Sequence, residues 1–146
     1  MFDNYTDGAR RCIFYARESV SKYGSMTIET EHLLLGILKE DPNIIPRFLP
    51  AKTNADIRAE VAKRTIIQPE IPTNIDLPLS KQCGRILAYA AEERERLRHR
   101  HIDVEHLLLG IVREEEGLAS QILRLAGFDL ASVREQLARQ EGPSER

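Results

Sequence analysis

Two glutamate–histidine pairs are the residues of this chain whose types and spacing could do chemistry. They are Glu31-His32 and Glu105-His106, and each pair opens the same string, Glu-His-Leu-Leu-Leu-Gly-Ile. A carboxylate beside an imidazole can bind a metal ion, and the two pairs could share one site. Alternatively, each glutamate lies in the first turn of a helix, where the helix dipole stabilises it by about 0.3–1 kcal/mol. We predict no metal site, because a histidine held by hydrogen bonds at a helix start is the commoner arrangement.

The repeated string is part of an internal duplication with an offset of 74 residues. At this offset Arg11, Tyr15, Glu18 and Leu49 match Arg85, Tyr89, Glu92 and Leu123. The register then slips by two, so that Arg58 matches Arg134. We predict a single domain over 1–146, with repeat one over about 1–65 and repeat two over about 79–141. A linker with three prolines, at about 66–78, separates them.

Helical periodicity and capping residues predict the elements that position the two pairs. We expect helices over 6–23, 30–40, 43–49 and 54–64 in repeat one, and over 81–97, 104–115, 118–126 and 130–139 in repeat two. The candidates for helix starts are Thr6, Thr30 or Glu29, Asn54, Ser80 and Asp103, and Gly24 and Gly127 can end helices. No stretch shows sustained period-two alternation. The sequence therefore predicts an all-α fold of about eight helices in two four-helix repeats, related by a pseudo-twofold axis.

Several repeated apolar residues are expected in the core. Gly36 and Gly110 lie inside helices, where glycine costs about 1 kcal/mol relative to alanine, which predicts helix packing too close for a Cβ. The leucine triplets are expected to form interhelix contacts. The apolar residues of the third helices are Ile44, Ile45 and Phe48, matched by Leu118, Ala119 and Ile122. We expect them in the core, with an apolar peptide-binding groove as the alternative.

Composition excludes several classes of function. Hydrophobic residues make up 42 % of the chain, which is enough for a core. The net charge of −2 gives no electrostatic reason to bind nucleic acid. No apolar run approaches the length of a membrane helix, and the N-terminus does not resemble a signal peptide. Cys12 and Cys83 are expected to be reduced and buried, as in a cytoplasmic protein. A disulfide or a metal site is the alternative for them.

A basic cluster follows the middle of the chain. Arg94, Arg96, Arg98, His99, Arg100 and His101 form it, and Glu92, Glu93 and Glu95 interleave with it. Without aromatic residues and with a negative net charge, a solvated face is the preferred interpretation over a nucleic-acid patch. Arg96, Arg98 and Arg100 are candidates for contact with an adaptor protein.

Sequence motifs for catalysis are missing. The chain has no G-x-x-x-x-G-K-[ST], no G-x-S-x-G, no H-E-x-x-H and no cysteine–histidine spacing typical of zinc. We therefore predict a non-catalytic protein that needs no cofactor.

The repeated strings carry a resemblance to a known family. They are Thr30 to Glu40 and Glu105 to Glu114, preceded by Phe2, Thr6 and Ala9 and followed by Gly117-Leu118-Ala119. They resemble the double Clp repeat, the N-terminal domain of Clp/Hsp100 AAA+ unfoldases of the ClpC and ClpA types. The resemblance implies an eight-helix fold that receives protein substrates and adaptor proteins for an unfoldase coupled to a protease. A free-standing Clp-repeat protein that regulates a Clp complex is the alternative, and the parent reading frame distinguishes the two.

The resemblance also implies a ligand. In ClpC-type domains the glutamates of this motif help to bind phosphorylated arginine, which assigns Glu31 and Glu105 as ligands and Thr30 as a phosphate contact. Glu29 and Asp103 stand where the family usually has glycine, and Val104 stands where it has threonine. Because an added carboxylate repels a phosphate, an unmodified arginine or a basic peptide end fits this chain better.

Overall fold

The computed structural model describes residues 2–65, 69 and 77–140. These ranges form eight helices: α1 (Asp7–Tyr23), α2 (Thr30–Glu40), α3 (Ile44–Phe48), α4 (Asn54–Arg64), α5 (Lys81–Leu97), α6 (Val104–Arg113), α7 (Leu118–Leu125) and α8 (Leu130–Gln140). The all-α prediction is confirmed, and the predicted helix ends agree to within two residues. Of the predicted linker, only Pro69, Leu77 and Pro78 are among the described residues, and the C-terminal tail from 141 also lies outside them.

Side-chain caps determine where the first helix of each repeat begins. The hydroxyls of Thr6 and Ser80 each accept a hydrogen bond at 3.1 Å from the backbone N–H of the third residue of the helix that follows. Both helices end on a left-handed residue, Gly24 with φ 71° and Arg98 with φ 59°. This conformation costs a residue with a Cβ about 1–2 kcal/mol, so repeat two ends its first helix less favourably than repeat one.

The predicted N-cap at Asn54 is wrong. Thr53 caps α4, because its hydroxyl accepts the N–H of Asp56 at 3.1 Å. The side chain of Asn54 is buried, accepts from the N–H of Ile45 at 3.0 Å, and donates to two carbonyl oxygens at the end of α2 at 3.1 and 2.9 Å. Asn54 therefore satisfies the backbone between α2 and α3 instead of starting its own helix.

Two glycines allow the first two helices of each repeat to pack closely. A Cβ at Gly36 would lie 2.2 Å from the carbonyl oxygen of Cys12, and one at Gly110 would lie 2.6 Å from that of Ile86. The predicted close packing of these glycines is confirmed. The leucines that precede them are all buried, so that the repeated string forms the centre of the core.

Reciprocal backbone contacts join the two repeats. Tyr5 pairs with Ile102, and Ile28 pairs with Leu79. These are the same contact written twice, because Tyr5 and Leu79 are equivalent at the offset of 74, as are Ile28 and Ile102. Each repeat thus places the residues before its first helix against the loop before the second helix of the other. This reciprocity is what a pseudo-twofold relation requires.

A guanidinium–carboxylate pair also recurs in the two repeats. Arg11 donates to both carboxylate oxygens of Glu40 at 2.8 and 2.6 Å. Arg85 donates to both oxygens of Glu114 at 2.7 and 2.9 Å. Each pair ties the first helix of its repeat to the end of the second, in the two-pronged geometry that strengthens such contacts.

Candidate functional site

The start of α2 positions Glu31. Glu29 is the N-cap residue, and its backbone N–H donates to Nδ1 of His32 at 2.9 Å. The hydroxyl of Thr27 donates to the Glu29 carboxylate. The imidazole of His32 and the carboxylate of Glu29 thus take part in hydrogen bonds that stabilise the start of α2. Glu31 then projects from the first turn of α2, as the sequence predicts.

Glu31 faces an open cavity of about 500 Å³. The cavity is lined by Tyr23, Gly24, Ser25, Met26, Glu29, Glu31, His32, Arg64 and Thr65. Burial raises the pKa of Glu31, and the nearby charge of Glu29 raises it further. The ionised form of a half-buried carboxylate of this kind is stabilised when a cationic group enters the cavity beside it.

Thr30 lies in the interior of the protein. Only 1 % of its surface is exposed, and its hydroxyl accepts the N–H of Ala119 at 3.2 Å and donates to the Glu31 carboxylate at 3.4 Å. A Cβ at Gly117 would lie 2.8 Å from its methyl group. Thr30 therefore stabilises the start of α7, in the other repeat, and helps to orient Glu31.

The equivalent glutamate in repeat two is already occupied. Glu105 is 6 % exposed, and its carboxylate accepts a hydrogen bond at 3.1 Å from the guanidinium of Arg47 on α3. Arg47 also lies 3.7 Å from Asp41 and stacks over Phe48 at 4.8 Å. The chain itself thus provides Glu105 with a guanidinium.

This arrangement does not recur at Glu31. At the offset of 74, the position of Arg47 is taken by Gln121, which is exposed. The two glutamates therefore have different environments: Glu105 is paired with an arginine of the same chain, and Glu31 faces an open cavity. Arg47 is not among the site residues predicted from the sequence, although comparison of residues 47 and 121 shows the difference.

The two additional acidic residues at the repeated motif also differ. Asp103 accepts a hydrogen bond from the hydroxyl of Thr6 at 2.8 Å and another from the N–H of Val104 at 2.8 Å. It is therefore an N-cap that joins the repeats, as predicted for its capping role. Val104 is 7 % exposed. Glu29, in contrast, lines the cavity of Glu31.

His106, the second histidine of the repeated motif, makes its polar contacts with other groups of the protein. Nδ1 of His106 accepts the N–H of Asp103 at 2.8 Å, so its neutral ring carries the proton on Nε2. That nitrogen lies 2.7 Å from Nδ1 of His99, which is also buried. Both ring nitrogens of His106 are therefore engaged. Among residues 2–65, 69 and 77–140, no group of three or more potential ligands is arranged to hold a metal ion.

The basic cluster at the end of α5 is only partly a solvated face. Arg96, Arg98 and Arg100 are exposed, but His99 is 4 % exposed and Glu93 is fully buried. The interpretation of all these residues as one exposed surface is therefore wrong for Glu93 and His99. The three arginines remain accessible to a partner.

The apolar residues of the third helices lie mostly in the core. Ile44 and Ile45 are fully buried, and Phe48 is 8 % exposed. Their counterparts Ala119 and Ile122 are buried as well. Exposed large apolar side chains among the described residues lie elsewhere, at Phe14, Met26 and Leu125. Both cysteines are free and buried, as the sequence predicts.

Comparison with known proteins agrees with this architecture. The family model for the Clp repeat (R) N-terminal domain matches residues 4–124 and 78–145. The chain belongs to this family. It is 34 % identical over 141 residues to an ATP-dependent Clp protease ATP-binding subunit ClpA homolog of Guillardia theta, and 34 % identical over 146 residues to the chloroplastic chaperone protein ClpC of Pisum sativum. These matches cover 95 % and 99 % of this chain but only 17 % and 16 % of those proteins.

Solved structures share the fold. The N-terminal domain of the ClpD chaperone from Arabidopsis thaliana superposes with a TM-score of 0.73 at 21 % identity, covering 96 % of this chain and 95 % of that one. The Hsp104 N-terminal domain from Candida albicans gives a TM-score of 0.76 at 17 % identity, covering 97 % and 94 %. In the described part of the Clp-repeat chain, none of the helices is both long and apolar enough to cross a membrane.

Proposed function

We propose that this Clp-repeat chain is a non-catalytic domain that receives protein substrates or adaptor proteins for an AAA+ unfoldase coupled to a protease. Family membership supports this role, and the free, buried cysteines fit the reducing cytoplasmic compartment in which we place it. The exposed Arg96, Arg98 and Arg100 are the surface that we propose for adaptor contact.

The observation that carries the proposal is the difference between the two glutamates. Glu105 has the guanidinium of Arg47 as its partner, which supports a guanidinium as the group that this position of the fold accepts. Glu31 lacks such a partner at the equivalent position and opens onto a cavity of about 500 Å³. We infer that Glu31 receives a cationic group of a bound protein, with Thr30 orienting its carboxylate.

The ligand that fits this cavity best is an unmodified arginine or a basic peptide end. Glu29 and Glu31 both line the cavity, so a guanidinium meets two carboxylates there. A phosphorylated arginine would add negative charge beside the same two groups, which the Coulomb interaction disfavours. Among the described residues that line the cavity, Arg64 is the one guanidinium, and it also lies 3.8 Å from Glu60.

Peptide binding tests this function directly. Three end-blocked, fluorescently labelled peptides, with arginine, phosphoarginine or neutral citrulline at one position, are titrated against the purified chain. We expect the arginine peptide to bind more tightly than either of the other two, because it alone brings a net positive charge to the two carboxylates. Glu31→Gln should weaken arginine binding about ten-fold, the cost of losing a charged hydrogen bond.

Two matched variants serve as controls. Glu135→Gln removes the same charge from an exposed position on α8, and Glu105→Gln removes the carboxylate that Arg47 occupies. Both should leave arginine binding within about two-fold of wild type. Equal binding of the arginine peptide by wild type and Glu31→Gln would show that the motif is structural. Capture of partners from native lysate with the same two proteins then tests the function on natural ligands.

A further inference from the structure

A buried carboxylate holds three helices of repeat two together. Glu93 of α5 is fully buried and accepts hydrogen bonds from Arg134 of α8 at 2.9 and 2.6 Å and from Arg113 of α6 at 3.0 Å. Burial alone would raise the pKa of Glu93, but the two guanidinium groups outweigh it and hold that pKa below its usual range. Glu93 is therefore an anion in a site with two basic side chains.

Repeat one keeps the basic residues of this site and lacks its anion. Lys39 stands at the position of Arg113, Arg58 at that of Arg134, and Ser19 at that of Glu93. The surroundings are also retained. Lys39 lies 4.5 Å above the ring of Tyr15 and 3.2 Å from Glu18. Arg113 likewise lies 4.2 Å above Tyr89 and 2.8 Å from Glu92.

The position of the missing carboxylate opens onto a cavity. Its volume is about 500 Å³, and it is lined by side chains of α1, α2 and α4 that include Tyr15, Glu18, Ser19, Lys22, Lys39 and Arg58. Arg58 makes no hydrogen bond or ion pair with any residue in the described part of the chain. Among the described residues that line this cavity, three are cations and one is a carboxylate, which leaves a positive excess.

We propose that this cavity binds a glutamate or aspartate side chain of a partner protein, in the way that repeat two binds its own Glu93. Arg58 and Lys39 donate to the incoming carboxylate as Arg134 and Arg113 donate to Glu93, and the hydroxyl of Ser19 offers a third donor. A singly charged carboxylate suits the site, because Glu18 already takes up part of the Lys39 charge. The inference rests on the proposed function only in that the ligand belongs to a protein. Its site is separate from Glu31.

Binding of an acidic peptide tests the inference. An end-blocked, labelled peptide of alternating alanine and glutamate is titrated against the chain, with its glutamine counterpart as the neutral probe. The glutamate peptide should bind more tightly. Arg58→Gln should weaken its binding about ten-fold, and Ser19→Glu, which supplies the carboxylate from within the chain, should weaken it at least as much.

Lys63→Gln is the matched control, because it removes one positive charge from the same helix, at a position outside the cavity lining. It should change the affinity by less than about two-fold. Ser19→Glu should also raise the melting temperature, since the new carboxylate completes the ion pairs seen in repeat two.

Equal affinity for the glutamate and glutamine peptides overturns the inference, and so does unchanged binding by folded Ser19→Glu or Arg58→Gln. Binding of the arginine peptide at Glu31 should be unaffected in both variants. If the wild-type chain bound the glutamate peptide but not the arginine peptide, the proposed role of Glu31 would be overturned and this inference would not.

Discussion

Three glycine-to-alanine substitutions should change stability in different directions, although each lies inside a helix. At Gly36 the new Cβ would lie 2.2 Å from the backbone oxygen of Cys12, and at Gly110 it would lie 2.6 Å from that of Ile86. At Gly84, apart from its chain neighbours and the backbone of its own helix, no atom of the described residues lies within 4 Å of the new Cβ. The neighbours at the first two positions are backbone atoms, so only a displacement of one helix against another can relieve the clash.

The magnitudes follow from two opposing contributions. Alanine is favoured over glycine in a helix interior by about 1 kcal/mol, and overpacking a tight contact costs about 1–3 kcal/mol. Gly36→Ala, with the shorter contact, should therefore lose about 2 kcal/mol of unfolding free energy. Gly110→Ala should lose about 1 kcal/mol, and Gly84→Ala should gain about 0.5–1 kcal/mol.

Urea unfolding followed by circular dichroism measures these differences, and thermal unfolding should shift by about 3 °C for each kcal/mol in a chain of this size. Gly84→Ala is the control, because it carries the same chemical change without the contact. If Gly36→Ala were as stable as wild type, or if the order of the three variants were reversed, the close approach of α1 and α2 would not be what requires glycine.

Three further predictions follow from buried polar groups. Glu93→Gln should cost about 2–3 kcal/mol in urea unfolding, because it leaves two arginines, each about a fifth exposed, without their carboxylate; a cost below that of an exposed ion pair would contradict this. Burial lowers the pKa of His32 to about 4. Below pH ~6.5 the unfolded chain therefore binds a proton on this imidazole that the folded chain does not bind. The free energy of unfolding should fall by about 3 kcal/mol as the pH drops to 4. His32→Asn should flatten that profile, and an unchanged profile would refute the assignment. Thr30→Val should cost about 1 kcal/mol by removing the hydrogen bond from Ala119, and proton exchange at that amide should quicken; unchanged exchange there would argue against the cap.

Much of the fold could be predicted because its signals are local. The helix ends depend on residues such as Thr6, Ser80 and Gly24, whose effect reaches only one turn of backbone. The prediction failed at Asn54, which has a typical capping side chain but sits one residue inside its helix. Its partners lie up to 16 residues away, and local sequence carries no information about them.

The candidate site was predictable only in part. The repeated string identified Glu31 and Glu105, and comparison of the copies identified Glu29, Asp103 and Val104 as departures. It did not show that Asp103 is bound by Thr6, at a separation of 97 residues. Comparison of the two copies shows which residues occupy equivalent positions, but it does not show which residues of one copy contact each other. Arg11 and Glu40, which form an ion pair, were each matched to their counterparts and never to each other.

The sequence alone determined the duplication, the all-α class, the family resemblance and the positions of the two repeated glutamates. These depend on periodicity and on identity between the copies, both of which can be read along one chain. The tertiary structure decided what the two glutamates contact: Glu105 is held by Arg47, and Glu31 opens onto a cavity. A side chain's partners depend on packing between distant segments. Two copies of one motif can therefore keep the same residues and have different roles.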